Sequence, residues 1–157
     1  MKKNKITIIL SIILLILIMI IILLMVSIRN KSTFKKPEFD KNAIETIPSD
    51  LEYQKKILNV TDNYSIYINP EPVIKNNSII LNLISLETNN IYIKVRVLNK
   101  NKKIAETGLI KPGQYLEKVK LDEELNVGDE IVYIIMGYEK DSYLSAGSVK
   151  LNTWIVR

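Results

Sequence analysis

The chain has 157 residues, with no cysteine and no histidine, and its formal charge at pH 7 is +5. Without those two residue types there is no disulfide framework, no thiol nucleophile, no histidine metal ligand and no Ser-His-Asp or Cys-His arrangement. Seven of the 22 Lys and Arg residues flank one N-terminal apolar block, which leaves 15 against 17 Asp and Glu in residues 37–157. The net positive charge of the chain therefore comes from the flanks of the block. The rest of the chain has no excess of basic residues, which argues against a nucleic-acid-binding face on a folded domain.

The apolar block is Ile6–Ile28, "ITIILSIILLILIMIIILLMVSI", which contains no charged residue. As a helix it would extend roughly 34 Å, enough to cross a hydrocarbon core of about 30 Å. Met25, Val26 and Ser27 do not supply the small residues of a signal-peptide cleavage site, so we expect an uncleaved transmembrane helix at 6–28. Charges on the two flanks are nearly equal, but the short Lys-rich tail resembles that of a signal anchor. This favours a cytoplasmic tail at 1–5 and an extracytoplasmic C-terminal domain.

Residues 29–49 form a predicted stalk. They are polar, contain Pro37 and Pro48, and follow neither a helical nor a strand period. Such a run is typical of a flexible spacer. We therefore place the folded domain at residues 50–157. Ser49–Leu58 starts with helix-capping residues, but the segment is short, and a helix, a loop and a first strand are all compatible with its sequence.

Alternation of apolar and polar residues predicts about seven strands after the stalk. In the third of them, Ile91, Ile93, Val95 and Val97 would face a core while Tyr92, Lys94 and Arg96 face solvent. The continuous apolar run of the sixth suggests a central strand. The predicted strands are "NYSIYIN" (63–69), "SIILNLISL" (78–86), "IYIKVRVL" (91–98), "KIAETGLI" (103–110), "QYLEKVKL" (114–121), "EIVYIIMGY" (130–138) and "SVKLNTWIV" (148–156).

Two irregularities are predicted within this series. Lys111-Pro112-Gly113 indicates a tight turn, because proline presets φ at its second position and glycine accepts a positive φ at its third. In the following strand Leu116 has the opposite parity to Val119 and Leu121, which indicates a bulge or a register shift.

Seven short strands in about 95 residues predict a mainly β fold. We expect an antiparallel β-sandwich of Ig-like or fibronectin-like topology behind the N-terminal transmembrane helix. A jelly roll and a small barrel remain open alternatives.

Three motifs stand out in the β-rich region: Asn69-Pro70-Glu71, the turn "GLIKPG" (108–113), and Leu121, Leu125 and Gly128. Together they resemble the motifs of small single-pass, membrane-anchored surface proteins of Firmicutes. The resemblance implies an Ig-like β-sandwich domain at the surface of a Gram-positive cell, and it implies no known activity. The aromatic residue that this pattern has after its last glycine is replaced here by Asp129.

The sequence indicates no enzyme and no cofactor. A signal-peptidase-like serine would need a Ser-x-Met-x-Pro context beyond the apolar block, which Ser27 and Ser32 lack. A sortase would need Cys and His. The acidic cluster of Asp122, Glu123, Glu124, Asp129 and Glu130 has oxygen ligands that suit calcium, but it lacks the order of an EF-hand. We expect a solvated turn there and no metal site.

Aromatic residues offer the best candidate binding surface. Tyr92, Tyr133, Tyr138, Tyr143 and Trp154 would form a patch for a peptide or a sugar, unless Trp154 fills the core and the tyrosines sit at strand edges. The irregular segment "YEKDSYLSAG" (138–147) is the strongest candidate, because binding residues favour loops on a rigid sandwich. The candidate partner-binding residues are Tyr138, Lys140, Asp141 and Tyr143.

Two functions from different classes follow. The first is a membrane-anchored, extracytoplasmic, non-catalytic module that contacts a partner protein of the cell envelope. The second is a structural subunit of a multi-protein membrane machine, such as a secretion or conjugation apparatus, in which the helix itself packs against other helices.

Overall fold

The computed structural model describes residues 2–29, 36–49, 51, 57–61 and 64–157. The chain divides into two compact units, Met1–Lys35 and Lys36–Arg157. Each is described by itself below.

The first unit contains one helix, α1, which runs from Lys2 to Arg29. Its side chains are described at positions 7, 8, 11–23 and 25, and all of these are exposed. Within the described residues, no helix has the length and apolarity needed to cross a membrane. The transmembrane assignment of 6–28 stays a prediction.

The second unit is built from antiparallel strands, which confirms the prediction of a mainly β fold. Nine strands lie in the described part of this unit. They are β1 (Leu58–Thr61), β2 (Tyr64–Tyr67), β3 (Ile74–Lys75), β4 (Ser78–Ser85), β5 (Ile91–Asn99), β6 (Lys102–Glu106), β7 (Tyr115–Lys120), β8 (Glu130–Glu139) and β9 (Ser145–Trp154).

The strands are divided between two sheets. In the first sheet β4 is central: β2 and β3 pair with one of its edges, β7 pairs with the other, and β1 extends the sheet beyond β2. The second sheet has the order β6-β5-β8-β9. The chain therefore changes sheet between β4 and β5, again between β6 and β7, and again between β7 and β8.

One core fills the space between the sheets. Fully buried Ile66, Leu81 and Leu83 of the first sheet join Val95 and Ile135 of the second in a single hydrophobic cluster. Every second residue of β5 and of β8 is buried, as expected for strands with one face against a core. The predicted inward positions of β5 are confirmed, and so is the interior position of β8, which lies between β5 and β9.

The Lys111-Gln114 turn is present, and it connects the two sheets. The N–H of Gln114 donates to the carbonyl of Lys111 at 3.1 Å, and Gly113 has φ +79°. Before the turn, Ile110 pairs with Ile93 of the second sheet; after it, Tyr115 pairs with β4 of the first. The turn therefore carries the chain from one layer to the other and does not form a hairpin within a sheet.

The predicted irregularity around Leu116 is also present. The pairing of β4 with β7 shifts between Ile80 and Leu83, so that β4 has one residue more than β7 across the shift. Asn82 lies in this extra length with φ +43°, and its side-chain oxygen accepts a hydrogen bond from the Tyr115 hydroxyl at 2.8 Å. The bulge is therefore in the partner strand β4, where the sequence analysis had not placed it.

Residues 36–44, which we call the strap, differ from the flexible spacer that their composition predicted. The Asp40 N–H donates to the carbonyl of Leu109 at 2.9 Å, and Ile44 and Tyr115 exchange two backbone hydrogen bonds of 2.9 and 2.8 Å. The compact unit consequently begins at Lys36, earlier than the predicted start at residue 50. Backbone bonding to distant residues explains the difference, since the side-chain pattern of the strap has no strand period. For residues 49–58 the sequence left a short helix, a loop and a first strand as alternatives, and most of this segment lies outside the described residues.

Candidate functional site

The candidate loop closes the hairpin between β8 and β9. The Glu139 N–H donates to the carbonyl of Leu144 at 3.0 Å, and the Tyr143 N–H donates to the carbonyl of Glu139, also at 3.0 Å. The Ser142 hydroxyl donates to the Glu139 carboxylate and accepts the Leu144 N–H. Tyr143 has φ +57°, a left-handed conformation that is uncommon for a non-glycine residue. The loop is thus bonded to itself, and Tyr143 is held in one position.

The tyrosines of the loop belong to an aromatic cluster on the outer face of the second sheet. Tyr92 lies directly opposite Tyr138 in the β5–β8 pairing. The rings of Tyr92 and Tyr143 have centroids 5.8 Å apart, and Phe39 of the strap meets Tyr92 edge-on at 4.9 Å. We call these four residues the hairpin cluster. Rings at these distances stabilise one another beyond simple burial.

Two lysines lie against the hairpin cluster. The Lys36 ammonium is 4.2 Å from the centroid of the Tyr143 ring, and the Lys111 ammonium is 5.0 Å from that of Phe39. Both distances are within the range of cation–π attraction. The cluster therefore presents apolar ring area and positive charge together at one end of the sheet.

The predicted aromatic patch is assembled only in part. Tyr92, Tyr138 and Tyr143 come together, but Tyr133 is fully buried in the core and Trp154 lies at the opposite end of the hairpin. Trp154 is 57% exposed, so it does not fill the core either. Parity along the strand separates Tyr133 from the patch, because it shares its face with Ile131 and Ile135.

The two charged residues of the candidate loop take no part in the cluster's ring contacts. Asp141 is exposed and Lys140 is half-buried, and within the described residues neither forms an ion pair. Phe39, by contrast, belongs to the cluster, and Lys36 lies against it. Both were missed, because they lie in the segment assigned to the stalk. The only sequence signal was an aromatic residue within a polar run.

An ion cluster lies beside the aromatic rings on the same face. The Glu106 carboxylate is 2.9 Å from the Lys94 ammonium and accepts a hydrogen bond of 2.7 Å from Nε of Arg96. Burial alone would raise the pKa of Glu106, but hydrogen bonds and attraction from the two cations outweigh it and hold the pKa below its ordinary value. Glu106 is thus an anion fixed between cations, which is a structural arrangement and not that of a catalytic acid.

The acidic loop after β7 shows turn geometry. The Asp129 carboxylate accepts the Asn126 N–H at 2.8 Å, and the Glu123 carboxylate pairs with Lys102. Within the described residues, no group of three or more His, Cys, Asp or Glu side chains is placed to hold a metal ion. The motif residues Asn69 and Gly113 likewise have local roles: Asn69 bonds both backbone groups of Glu71, and the Gly113 N–H donates to Ser85.

Comparison with models of protein families, with curated proteins and with solved structures finds no match to this chain. The suggested kinship with surface proteins of Firmicutes stays a prediction.

Proposed function

We propose that this protein is a membrane-anchored, extracytoplasmic and non-catalytic binding module that contacts a partner protein of the cell envelope through the hairpin cluster. The observation that carries the proposal is the cluster itself, in which Tyr92, Tyr138 and Tyr143 are gathered on one outer face beside Lys36 and Lys111. Aromatic residues on a rigid support supply large contact area at little entropic cost, which is the composition favoured in protein–protein interfaces.

The fold proposed for the module is an Ig-like sandwich of the fibronectin-like type. Support comes from the strand orders: β2-β4-β7 in one layer and β6-β5-β8-β9 in the other, with the chain crossing repeatedly between layers. Two antiparallel layers with such crossings are expected of this class of sandwich. Sandwiches of this class commonly present binding loops at their ends.

The proposed anchor is α1. It is continuous from Lys2 to Arg29, and its sequence holds 23 consecutive uncharged residues at 6–28. Apolar side chains in the described part, such as Leu15 and Met25, are exposed to the extent of 66% each. In water such exposure is unfavourable, whereas in lipid it is expected. The extracytoplasmic orientation rests on the signal-anchor character of the N-terminal tail.

A non-catalytic role fits the chemistry of the cluster. Its polar atoms are tyrosine hydroxyls and lysine ammonium groups, and the chain supplies no histidine or cysteine as base or nucleophile. The Tyr138 hydroxyl is directed to the sulfur of Met136, 3.7 Å away. Binding uses ring area and positive charge and needs no proton transfer.

Topology is the first test, and the lack of cysteine makes it clean. A single cysteine is introduced as Ser142→Cys in the exposed loop, and intact cells are treated with a membrane-impermeant maleimide. We expect labelling before lysis. Labelling only after lysis would place the module inside the cell and overturn the extracytoplasmic proposal. A second single-cysteine variant, Asn4→Cys in the tail, serves as the control and should label only after lysis.

Deletion of residues 2–29 separates the module from the structural-subunit alternative. A binding module should still bind its partner when the helix is removed, because the hairpin cluster lies wholly in the second unit. A subunit whose helix packs against other helices should lose assembly on the same deletion. The experiment is co-purification of the truncated chain with the partner that the full chain captures by crosslinking from position 142.

A further inference from the structure

The outer face of the second sheet carries an apolar row along β8. Val132, Ile134 and Met136 point away from the core, because the alternate residues Ile131 and Ile135 are buried in it. The three outward residues are half-buried and form an apolar row, the floor of the surface that we call the β8 track.

Cations line the β8 track on both sides. On the β5 side, Lys94 lies opposite Met136 and Arg96 lies opposite Ile134; on the β9 side, Lys150 lies opposite Ile134. Residues paired across strands share a face, so these three side chains flank the floor directly. Lys150 is exposed and makes no ion pair with the described residues.

The charge of this face is opposite to that of the rest of the unit. The face carries Lys94, Arg96, Lys103 and Lys150 against the two carboxylates Glu106 and Glu130. Residues 37–157 as a whole hold 15 basic against 17 acidic residues. Positive charge is thus concentrated here on a unit of slightly negative balance, which selects a negatively charged partner.

The dimensions of the β8 track fit an α-helix. Neighbouring strands are about 4.8 Å apart, so the cations on β5 and β9 flank a gap of roughly 10 Å, which is close to the diameter of a helix with its side chains. From Val132 to Met136 the floor extends about 13 Å, the length of roughly 9 helical residues. Trp154 lies at one end, opposite Glu130, and Tyr138 with the hairpin cluster lies at the other.

We propose that the β8 track binds an acidic amphipathic helix of the partner protein. Its apolar side chains, spaced i, i+3, i+4 and i+7, would rest on Val132, Ile134 and Met136. Its Asp and Glu residues on the β9 flank would meet Lys150, whereas Lys94 and Arg96 on the β5 flank are already paired with Glu106 and attract the helix only as a group of two cations and one anion. The proposal rests on the proposed function and adds to it the chemistry of the partner and a second contact surface beside the hairpin cluster.

The test uses the full chain in membranes of the source organism, with single cysteines carrying a benzophenone maleimide. Ser148→Cys places the probe on the β8 track, opposite Met136, and Ser142→Cys places it on the hairpin loop. Crosslinked peptides are sequenced by mass spectrometry. We expect Ser148→Cys to crosslink to a helix-forming segment with an apolar face flanked by Asp or Glu.

Charge reversal supplies the second readout. Lys150→Glu, added to Ser148→Cys, should lower the crosslinking yield about tenfold, since it replaces an attraction at the track with a repulsion. Lys75→Glu makes the same change of charge at an exposed position of β3 in the other sheet and should leave the yield unchanged. Both lysines are exposed, and the thermal transition of each variant shows that it folds.

The outcomes separate the two proposals. Crosslinks from Ser142→Cys alone would leave the proposed function standing and overturn the helix proposal. A crosslink from Ser148→Cys to a second copy of this chain, to lipid, or to a segment without acidic residues would also overturn it, as would equal yields from the two charge-reversal variants. If neither cysteine crosslinks to a protein, the proposed function and the helix proposal fail together.

Discussion

Asp40 and Gly108 are in direct contact although 68 residues separate them. The Gly108 N–H donates to Oδ2 of Asp40 at 2.8 Å. A Cβ atom on Gly108 would lie 2.8 Å from the carbonyl carbon of Phe39, and closer still to the backbone nitrogen of Asp40. Only glycine leaves room for the strap here, because the atoms in the way are backbone and cannot rotate aside. The contact fastens the strap, and with it Phe39 of the hairpin cluster and Lys36, which lies against that cluster.

We therefore expect Gly108→Ala to displace the strap. The free energy of unfolding should fall by about 1–3 kcal/mol, the usual cost of an added methyl group where no space exists. Chemical denaturation followed by the fluorescence of Trp154 measures it, and hydrogen exchange at the Asp40 amide reports the strap directly.

Asp40→Asn is the matched control for this substitution. It adds no volume at Gly108, but it keeps only one of the two side-chain oxygens, which accept from the Gly108 N–H and from the Asn42 N–H. We expect it to cost less than Gly108→Ala and to leave the Asp40 amide protected. Equal protection of that amide in Gly108→Ala and the parent chain would show that the strap tolerates the methyl group, contrary to our account.

The hydroxyl of Tyr133 gives a second prediction. It is buried and has no hydrogen-bond partner among the residues that the structure describes, and burial raises the pKa of this tyrosine. Because an unpaired buried polar group is costly, Tyr133→Phe should leave stability unchanged or raise it by about 1 kcal/mol. Tyr115→Phe makes the same chemical change where the hydroxyl donates to Asn82 at 2.8 Å, and it should lower stability by about 1 kcal/mol. A larger loss for Tyr133→Phe than for Tyr115→Phe in denaturant titrations would contradict this assignment.

Asn89 is the basis of a third prediction. Its side chain accepts a hydrogen bond from the Ser65 N–H and donates one to the Ser65 carbonyl, each at 2.8 Å. A side chain, and not a neighbouring strand, thus satisfies these two backbone groups of β2. Asn89 is 5% exposed, and Asn89→Ala would leave both groups of Ser65 unpaired. We expect a loss of about 2–4 kcal/mol in the free energy of unfolding, from about 1–3 kcal/mol for each group less partial hydration. Asn90→Ala, at the exposed neighbouring position, should change it by less than about 0.5 kcal/mol.

The pH dependence of stability follows from Glu106. Its pKa in the folded chain lies below the ordinary value of 4.5, so the folded state binds fewer protons than the unfolded state as the pH falls. The stabilisation that ionised Glu106 contributes is therefore fully present above its pKa in the unfolded chain, near 4.5. It is lost as the pH drops through the lower pKa of Glu106 in the folded chain. Glu106→Gln should flatten the decline of the melting temperature with acidification in this window.

Glu117→Gln is the control for that measurement, since Glu117 is 55% exposed and, within the described residues, its ion pair is with its sequence neighbour Lys118 at 3.8 Å. It should leave the slope of melting temperature against pH close to that of the parent chain. If both variants give the same slope, the ion cluster around Glu106 does not stabilise the folded unit in the way described.

Much of the β unit could be predicted from the sequence because its strands have one buried face. Tyr64, Ile66 and Ile68 are all buried, as their alternation indicates, and so are the inward residues of β5. The same rule, applied to β8, would have removed Tyr133 from the aromatic patch. Period-two alternation reports which face of a strand is buried along β5 and β8. It fails at the ends of β2 and β4, where consecutive residues such as Ile66 and Tyr67 are both buried.

The strap and the full composition of the candidate site could not be predicted in this way. The strap is held by backbone bonds to Leu109 and Tyr115, and backbone groups are the same in every residue. The bulge at Asn82 was detected only through its effect on the partner strand β7. Such contacts depend on the meeting of segments far apart in the chain, for which a single sequence has no local signature.

The strap also determines how the unit bears load. Its backbone is hydrogen-bonded to Leu109, whose neighbour Ile110 pairs with the second sheet. It is also hydrogen-bonded to Tyr115, which belongs to the first sheet. A pull that enters at Lys36 is therefore shared between the two layers at the turn that joins them, before any core strand is strained. We expect single-molecule extension from residue 36 to show an early, separate rupture in which the strap detaches while the sheets stay intact. Gly108→Ala should lower the force of that first event alone.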